Sequence, residues 1–221
     1  MMAKHKGGYD SFGNRRAYGR AGRVCAEMAG GNTLKQTYEQ IKPIITTAKR
    51  EEIYEVSAFL NNCWRLEYSS IISNDYLDTM SVAERHEKLL KRFDENTSDF
   101  LIMRDNDEMM GAAVFGTSYT DGYPDDGEIS AIYLRHDYIG QGYGHALFAE
   151  IERALSEKGY TKLVLDVLSD NERAVSFYKK HGYEIVSNSS IDLGGNSYPL
   201  TVFRKSAPLP SVTDLLTSTS T

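Results

Sequence analysis

Three glycines spaced two apart, Gly140, Gly142 and Gly144, lie in the segment Glu128 to Phe148, which reads EISAIYLRHDYIGQGYGHALF. Glycine frees the backbone to turn N–H groups toward an anion, and the start of the following helix adds about half a positive charge. The run Gly140, Gln141, Gly142, Tyr143, Gly144, His145 therefore suits a pyrophosphate, although the same glycines would serve an ordinary left-handed turn. A Walker A loop is excluded, because His145 and Ala146 stand where Lys and Ser/Thr are required. A dinucleotide fingerprint fails as well: its third glycine would be His145 or Leu147, and a polar RHDYI stretch separates strand from glycines. Asp166 alone favours it. A second segment reads NERAVSFYKKHGYE from Asn171. Asn171, Ala174 and Tyr178 fall at i, i+3, i+7, on one helix face and about 10 Å apart end to end. Amide and phenol could contact one elongated ligand, or be a capping Asn and a core Tyr.

The elements needed to position these residues are legible. A β-branched run covers Pro43 to Thr47, a helix is expected from Lys49 to Ser70, and another from Ser81 to Phe93 opens on Ser81-Val82-Ala83-Glu84 in capping-box spacing. Strands follow at Ser98 to Arg104, Met109 to Thr117 and Glu128 to Leu134, the first two separated by Asp105-Asn106-Asp107. Leu147, Ile151, Ala154 and Leu155 give the helix Gly142 to Lys158 an apolar face, and Gly159 closes it. KLVLDVL, Lys162 to Leu168, has the near-continuous apolar character of a strand buried on both faces. A helix from Asn171 to His181 precedes final strands near Tyr183 to Asp192 and Tyr198 to Arg204.

Length and composition, 221 residues with 41% apolar and 25% charged, suit one core with appendages. Residues 1–36 are Gly- and Arg-rich and read as a flexible basic arm, 37–205 as the folded domain, and 206–221 as a Ser/Thr/Pro-rich tail. No apolar run approaches a membrane span or a secretory signal, so a cytoplasmic location is expected. Cys25 and Cys63 suggest neither disulfide nor metal, and the five histidines lack ligand spacing. Residues 1–35 hold seven Lys/Arg against Asp10 and Glu27, leaving 18 basic and 29 acidic residues elsewhere. An acidic body disfavours nucleic acid and favours a cationic partner.

Together, the two segments resemble the GNAT superfamily of N-acetyltransferases, with its acyl-CoA motif R/Q-x-x-G-x-G/A and the later helix N-x-x-A-x-x-F-Y-x-x-x-G-F/Y. The match is close from Glu128 to Tyr183, with one departure: Ile139 occupies the R/Q position. The resemblance implies an α/β GNAT fold, a mixed twisted β-sheet with helices on both faces, and acetyl-CoA as co-substrate without a metal. It implies that the backbone of Ile132, Tyr133 and Leu134 pairs with pantetheine, that Ile132 N–H polarises the thioester carbonyl, and that Asn171 and Tyr178 flank the pantetheine and sulfur. It leaves room for a homodimer.

An alkyl amine of pKa near 10.4 is free base in only about one molecule in 2,500 at pH 7, a penalty of roughly 4.6 kcal/mol. A base is therefore needed, and by position relative to the Gly-Tyr-Gly turn Glu128 matches the catalytic Glu of histone-acetylating GNATs, while Tyr178 would protonate the departing thiolate. The acceptor is expected to be a cationic amine, with Trp64, Tyr68, Tyr76, Asp75 and Asp78 and the loop residues Tyr119, Asp121, Tyr123, Asp125 and Asp126 as candidate contacts. Packing and a solvated turn account for the same residues. An idle acyl-CoA-binding module and, further off, a nicotinamide-dinucleotide enzyme are the rival readings.

Overall fold

The computed structural model describes residues 42–208 and, as backbone only, 23–27 and 35–39. The chain divides into two units, Met1–Lys42 and Pro43–Thr221. In the first, β1 (Arg23–Glu27) and β2 (Lys35–Glu39) pair antiparallel, Arg23 opposite Glu39 and Glu27 opposite Lys35. The remainder of the expected arm, and the tail beyond residue 208, lie outside the described residues.

The second unit holds one sheet of seven strands: β3 (Ile44–Thr47), β4 (Ser98–Asp105), β5 (Glu108–Thr117), β6 (Gly127–Leu134), β7 (Lys162–Leu168), β8 (Glu184–Leu193) and β9 (Asn196–Ser206), in the order β3-β4-β5-β6-β7-β9-β8. Neighbours run antiparallel except β6 and β7, which are parallel and joined across the sheet by α4 (Tyr143–Glu157). The mixed α/β architecture expected from the sequence is the one observed.

Helices cover both faces. On one, α1 (Ile53–Glu67) buries Ile53, Val56 and Leu60, and α3 (Val82–Asp94) buries Leu89, against Phe100 and Ile102 of β4 and Ala112 and Val114 of β5. Ser81 caps α3, its Oγ accepting from Glu84 N–H at 3.3 Å. On the other face Leu147, Phe148, Ile151 and Leu155 of α4 are completely buried, and Tyr178 of α5 (Glu172–Lys180) packs on Phe148 and Phe203. The helix expected as far as Ser70 ends at Glu67, and a short α2 (Asn74–Thr79) follows. The Ser and Asn residues there compete for backbone hydrogen bonds, and six residues are too few to show a period. Among the described residues no helix is long and apolar enough to cross a membrane.

Two irregularities of β6 make the site. It pairs with β7 only at Gly127–Leu163 and Glu128–Val164, and beyond these the strands part. Against β5, Phe115 pairs with Ile129 and Val114 with Ala131, so Ser130 is an extra residue in a β-bulge.

Candidate active site

A cleft of about 430 Å³ opens where β6 and β7 separate, walled by residues 129–134, the glycine loop, Asp166 and Val167 of β7 and the inner face of α5. The edge of β6 is open here. Arg135 N–H donates to Met110 C=O at 2.7 Å, so antiparallel alternation directs Tyr133 and Ala131 N–H toward β5 and leaves those of Ile132 and Leu134 facing outward. The Leu134 carbonyl accepts from the Cys63 thiol at 3.9 Å. Burial, with the charge of Glu67 beside it, pushes that thiol up to about 12, which excludes it as a nucleophile at neutral pH.

The glycine loop needs its glycines for conformation: Gly140 and Gly142 have φ of 79° and 90°, and Gly142 is the left-handed residue from which α4 starts. Among the described residues, the backbone N–H groups of residues 140–144 donate to no other group, while Gly142 C=O accepts from His145 and Ala146. With no acid in its first turn, α4 presents an unopposed positive end. Gly140, Gly142, Gly144 and His145 line the cleft; the side chains of Gln141 and Tyr143 do not. Gln141 Nε2 instead donates to Asp137 C=O at 2.5 Å, and the Tyr143 ring packs edge-on against Tyr138. Ile139 also lines the cleft. Besides the loop backbone, the cleft lining includes the side chains of His145, Arg173 and Lys180.

On α5, Asn171 is both of the things its sequence allowed. Its Oδ1 caps the helix, accepting from Ala174 N–H at 3.1 Å, and it lines the cleft. Tyr178 is buried among Phe148, Phe177, Tyr183 and Phe203, with its hydroxyl free of partners among the described residues and its edge in the cleft. Burial first, and then Tyr68 and Asp166 nearby, push its acidity well below that of an ordinary phenol, so it enters any reaction as the protonated acid.

Glu128 does not line the cleft. Its Oε2 accepts from Tyr119 N–H (2.6 Å), Thr120 N–H (3.0 Å), Thr120 Oγ1 (3.0 Å) and Ser118 Oγ (3.4 Å), and its Oε1 from Ser130 Oγ (2.6 Å). It thereby ties down the β5–β6 loop. Ser130, at the bulge, lines the cleft and also accepts from Arg92 Nη2 at 2.8 Å, which links cleft and carboxylate in one chain of hydrogen bonds. Two carboxylates line the cleft, Glu67, which is paired with Arg173, and Asp166, whose pKa is raised by burial and then by the charge of Glu128. The sequence did not single out Ser130, and it offered Asp166 only as an acid suited to a dinucleotide. The signal for Asp166 was a lone acid inside an otherwise apolar strand.

Among the acceptor candidates, Tyr68 is core, its hydroxyl 2.8 Å from that of Tyr133. Asp126 is buried and held by Arg204 through two bonds of 2.6 and 2.8 Å, with Tyr123 beneath the same guanidinium. Trp64, Tyr76 and Tyr119 line a second groove between α1, α3 and the β5–β6 loop, whereas Asp75, Asp78, Asp121 and Asp125 line neither cavity.

Residues 64–183 match the Acetyltransferase (GNAT) family. The chain is 29% identical over 153 residues to the uncharacterized N-acetyltransferase YuaI of Bacillus subtilis, spanning 68% of this chain and 86% of that protein. It is 28% identical over 169 residues to the peptidyl-lysine N-acetyltransferase YjaB of Salmonella typhimurium, spanning 76% and 94%. The fold superposes with a TM-score of 0.59 on the PaiA N-acetyltransferase of Thermoplasma acidophilum, solved in complex with coenzyme A, at 22% identity over 75% of this chain and 99% of that one. The parted strands, the glycine cradle and the Asn–Tyr helix thus occur in a chain that belongs to the GNAT family of acetyltransferases and is an acyltransferase enzyme.

Proposed function

We propose that the chain transfers an acetyl group from acetyl-CoA to a primary amine by direct attack, in the cytoplasm. The observation that carries this reading is the parting of β6 from β7 above a loop whose N–H groups donate to none of the described residues: an extended arm can add to the open edge while its pyrophosphate sits at the start of α4. In this arrangement Ile132 N–H donates to the thioester oxygen as negative charge develops there. The amine nitrogen forms its bond to the carbonyl carbon and the C–S bond breaks. The Tyr178 phenol gives its proton to the sulfur, and the proton leaving nitrogen passes to Glu128 through Ser130, the only member of that hydrogen-bonded pair that lines the cleft. Asp166 is the second candidate for that proton, supported by its direct view of the cleft and its raised pKa.

The test is to record the melting temperature with acetyl-CoA and CoA, then to follow free CoA released over a panel of primary amines. A thermal shift with amine-dependent release supports the reading. No shift, or release indifferent to every amine, sinks it.

A further inference from the structure

We infer that the amine acetylated by this chain carries a carboxylate at its other end, and that Arg85 holds that carboxylate in the groove between α1, α3 and the β5–β6 loop. The inference rests on the acetyl-transfer reading above and specifies its acceptor. The groove encloses about 650 Å³, and its charged lining is Arg85, Lys88, Lys91 and Arg92 against Glu84 and Glu95. In a chain whose acids outnumber its bases, this is a local excess of positive charge.

The arginines of the second unit show which one is unspent. Arg50, Arg104, Arg135, Arg153, Arg173 and Arg204 each pair with a carboxylate, and Arg65 is tied to the carbonyls of Leu77 and Met80. Arg92 spends Nε on Ser98 and Nη2 on Ser130, and lies over Tyr119 at 4.7 Å. Arg85 is different. Its Nε donates to Asn61, a buried residue fixed in turn by its own bond to Met80 C=O, and its plane lies 5.4 Å from the Trp64 ring. Neither terminal nitrogen bonds to any described residue, and none of the described carboxylates is within ion-pair distance. The consequence is a partly desolvated guanidinium, its cation disfavoured by burial, anchored through Nε to Asn61 and lining the groove. A planar fork held this way matches a carboxylate bidentately, at little entropic cost.

The placement suits an acceptor. Arg85 is close enough to the Tyr133 phenol for each to feel the other's charge, and Arg92 reaches Ser130; Tyr133 and Ser130 are also lining residues of the thioester cleft. The two cavities have no lining residue in common; the link between them is the bond from Arg92, which lines the groove, to Ser130, which lines the cleft. An amine whose carboxylate lies on Arg85 directs its nitrogen toward Ser130 and Ile132, whereas a diamine or polyamine meets Arg85, Lys88 and Arg92 as like charges.

The experiment measures CoA release with matched pairs, the proteinogenic amino acids and β-alanine against their carboxamides, together with aminomethylphosphonate and putrescine. Each compound is also titrated calorimetrically into the CoA-loaded protein. The wild type is expected to favour carboxylates over carboxamides by about tenfold to a hundredfold in kcat/KM or in affinity, as for charged hydrogen bonds. In Arg85→Gln the preference should collapse toward one, with Arg85→Lys intermediate, and a retained acetyl-CoA thermal shift certifies that each variant is folded. Equal or better use of carboxamides or putrescine overturns the inference, as does a preference that survives Arg85→Gln or a phosphonate chosen over every carboxylate. If no compound reacts, the absence of tighter carboxylate binding overturns it too. Failure of the acetyl-transfer reading has a separate signature: no thermal shift with acetyl-CoA and no release of CoA with any amine.

Discussion

On the α4–α5 side of β6 a ligand is offered backbone: the outward N–H groups of Ile132 and Leu134 and those of residues 140–144. On the α1–α3 side it is offered side chains: Arg85, Arg92, Trp64 and Tyr119. The first surface depends on φ angles that only glycine adopts comfortably, and on two strands that fail to pair. The second depends on which side chains three distant segments bring together. Backbone sites tolerate wide sequence change as long as the turn survives. Side-chain sites can be re-aimed by single substitutions, which makes them the natural seat of acceptor choice.

The largest effect expected is at Gly142. Gly142→Asp puts a β-carbon on a residue at φ 90° and a negative charge in the cradle, so the acetyl-CoA thermal shift, about 2.7 kcal/mol of stabilisation at a hundred times Kd, should vanish and turnover with it. Gln141→Ala, one residue away, should leave the shift intact, because that side chain is turned to Asp137. Equal damage from both would break the claim that the cradle is backbone.

Next is Glu128→Gln, expected to lower kcat/KM near neutrality by about 10²–10⁴-fold. The deficit should shrink at alkaline pH, where free amine is supplied without help. A loss constant across pH, with a lower melting temperature, would instead identify Glu128 as the anchor of the Tyr119–Thr120 loop and pass the base to Asp166. Tyr178→Phe keeps the ring's packing and should cut kcat by about tenfold or more while the acetyl-CoA shift persists. Turnover within a factor of two of wild type would return Tyr178 to the core.

The smallest effect is thermodynamic. The raised pKa of Asp166 means that the folded chain holds this proton more firmly than the unfolded one, so ionisation at neutral pH costs stability, and that cost disappears as pH falls below the unfolded value near 3.9. Asp166→Asn should therefore melt slightly higher at pH 7, with the gain fading toward pH 4. A gain that grows on acidification would contradict the assignment.

The same contrast governs what the sequence discloses. The elements around the first cleft were legible, because glycine spacing, the Asn171–Tyr178 helix and the apolar KLVLDVL strand are local patterns. Short α2 escaped for want of a period. Glu128 was proposed by position, but its bonds to Ser118, Tyr119 and Thr120 come from a loop whose fold no local rule specifies. Arg85 and Arg92, seven residues apart on an amphipathic helix, look in sequence like part of a solvated charged face. Only the packing of α1 and the β5–β6 loop beside them makes a groove.

The bulge at Ser130 acts as a change of phase in β6. Contacts put Glu128, Ser130, Ala131 and Tyr133 all toward α1 and α3, although strict alternation would separate Glu128 from Ala131 and Tyr133. One surplus residue thus lets the carboxylate end of the strand and its apolar end face the same helices. Removing Ser130 would leave Glu128 two residues from Ala131, so plain alternation would keep both toward α1 and α3, but the hydroxyl that joins Glu128 to the cleft would be gone.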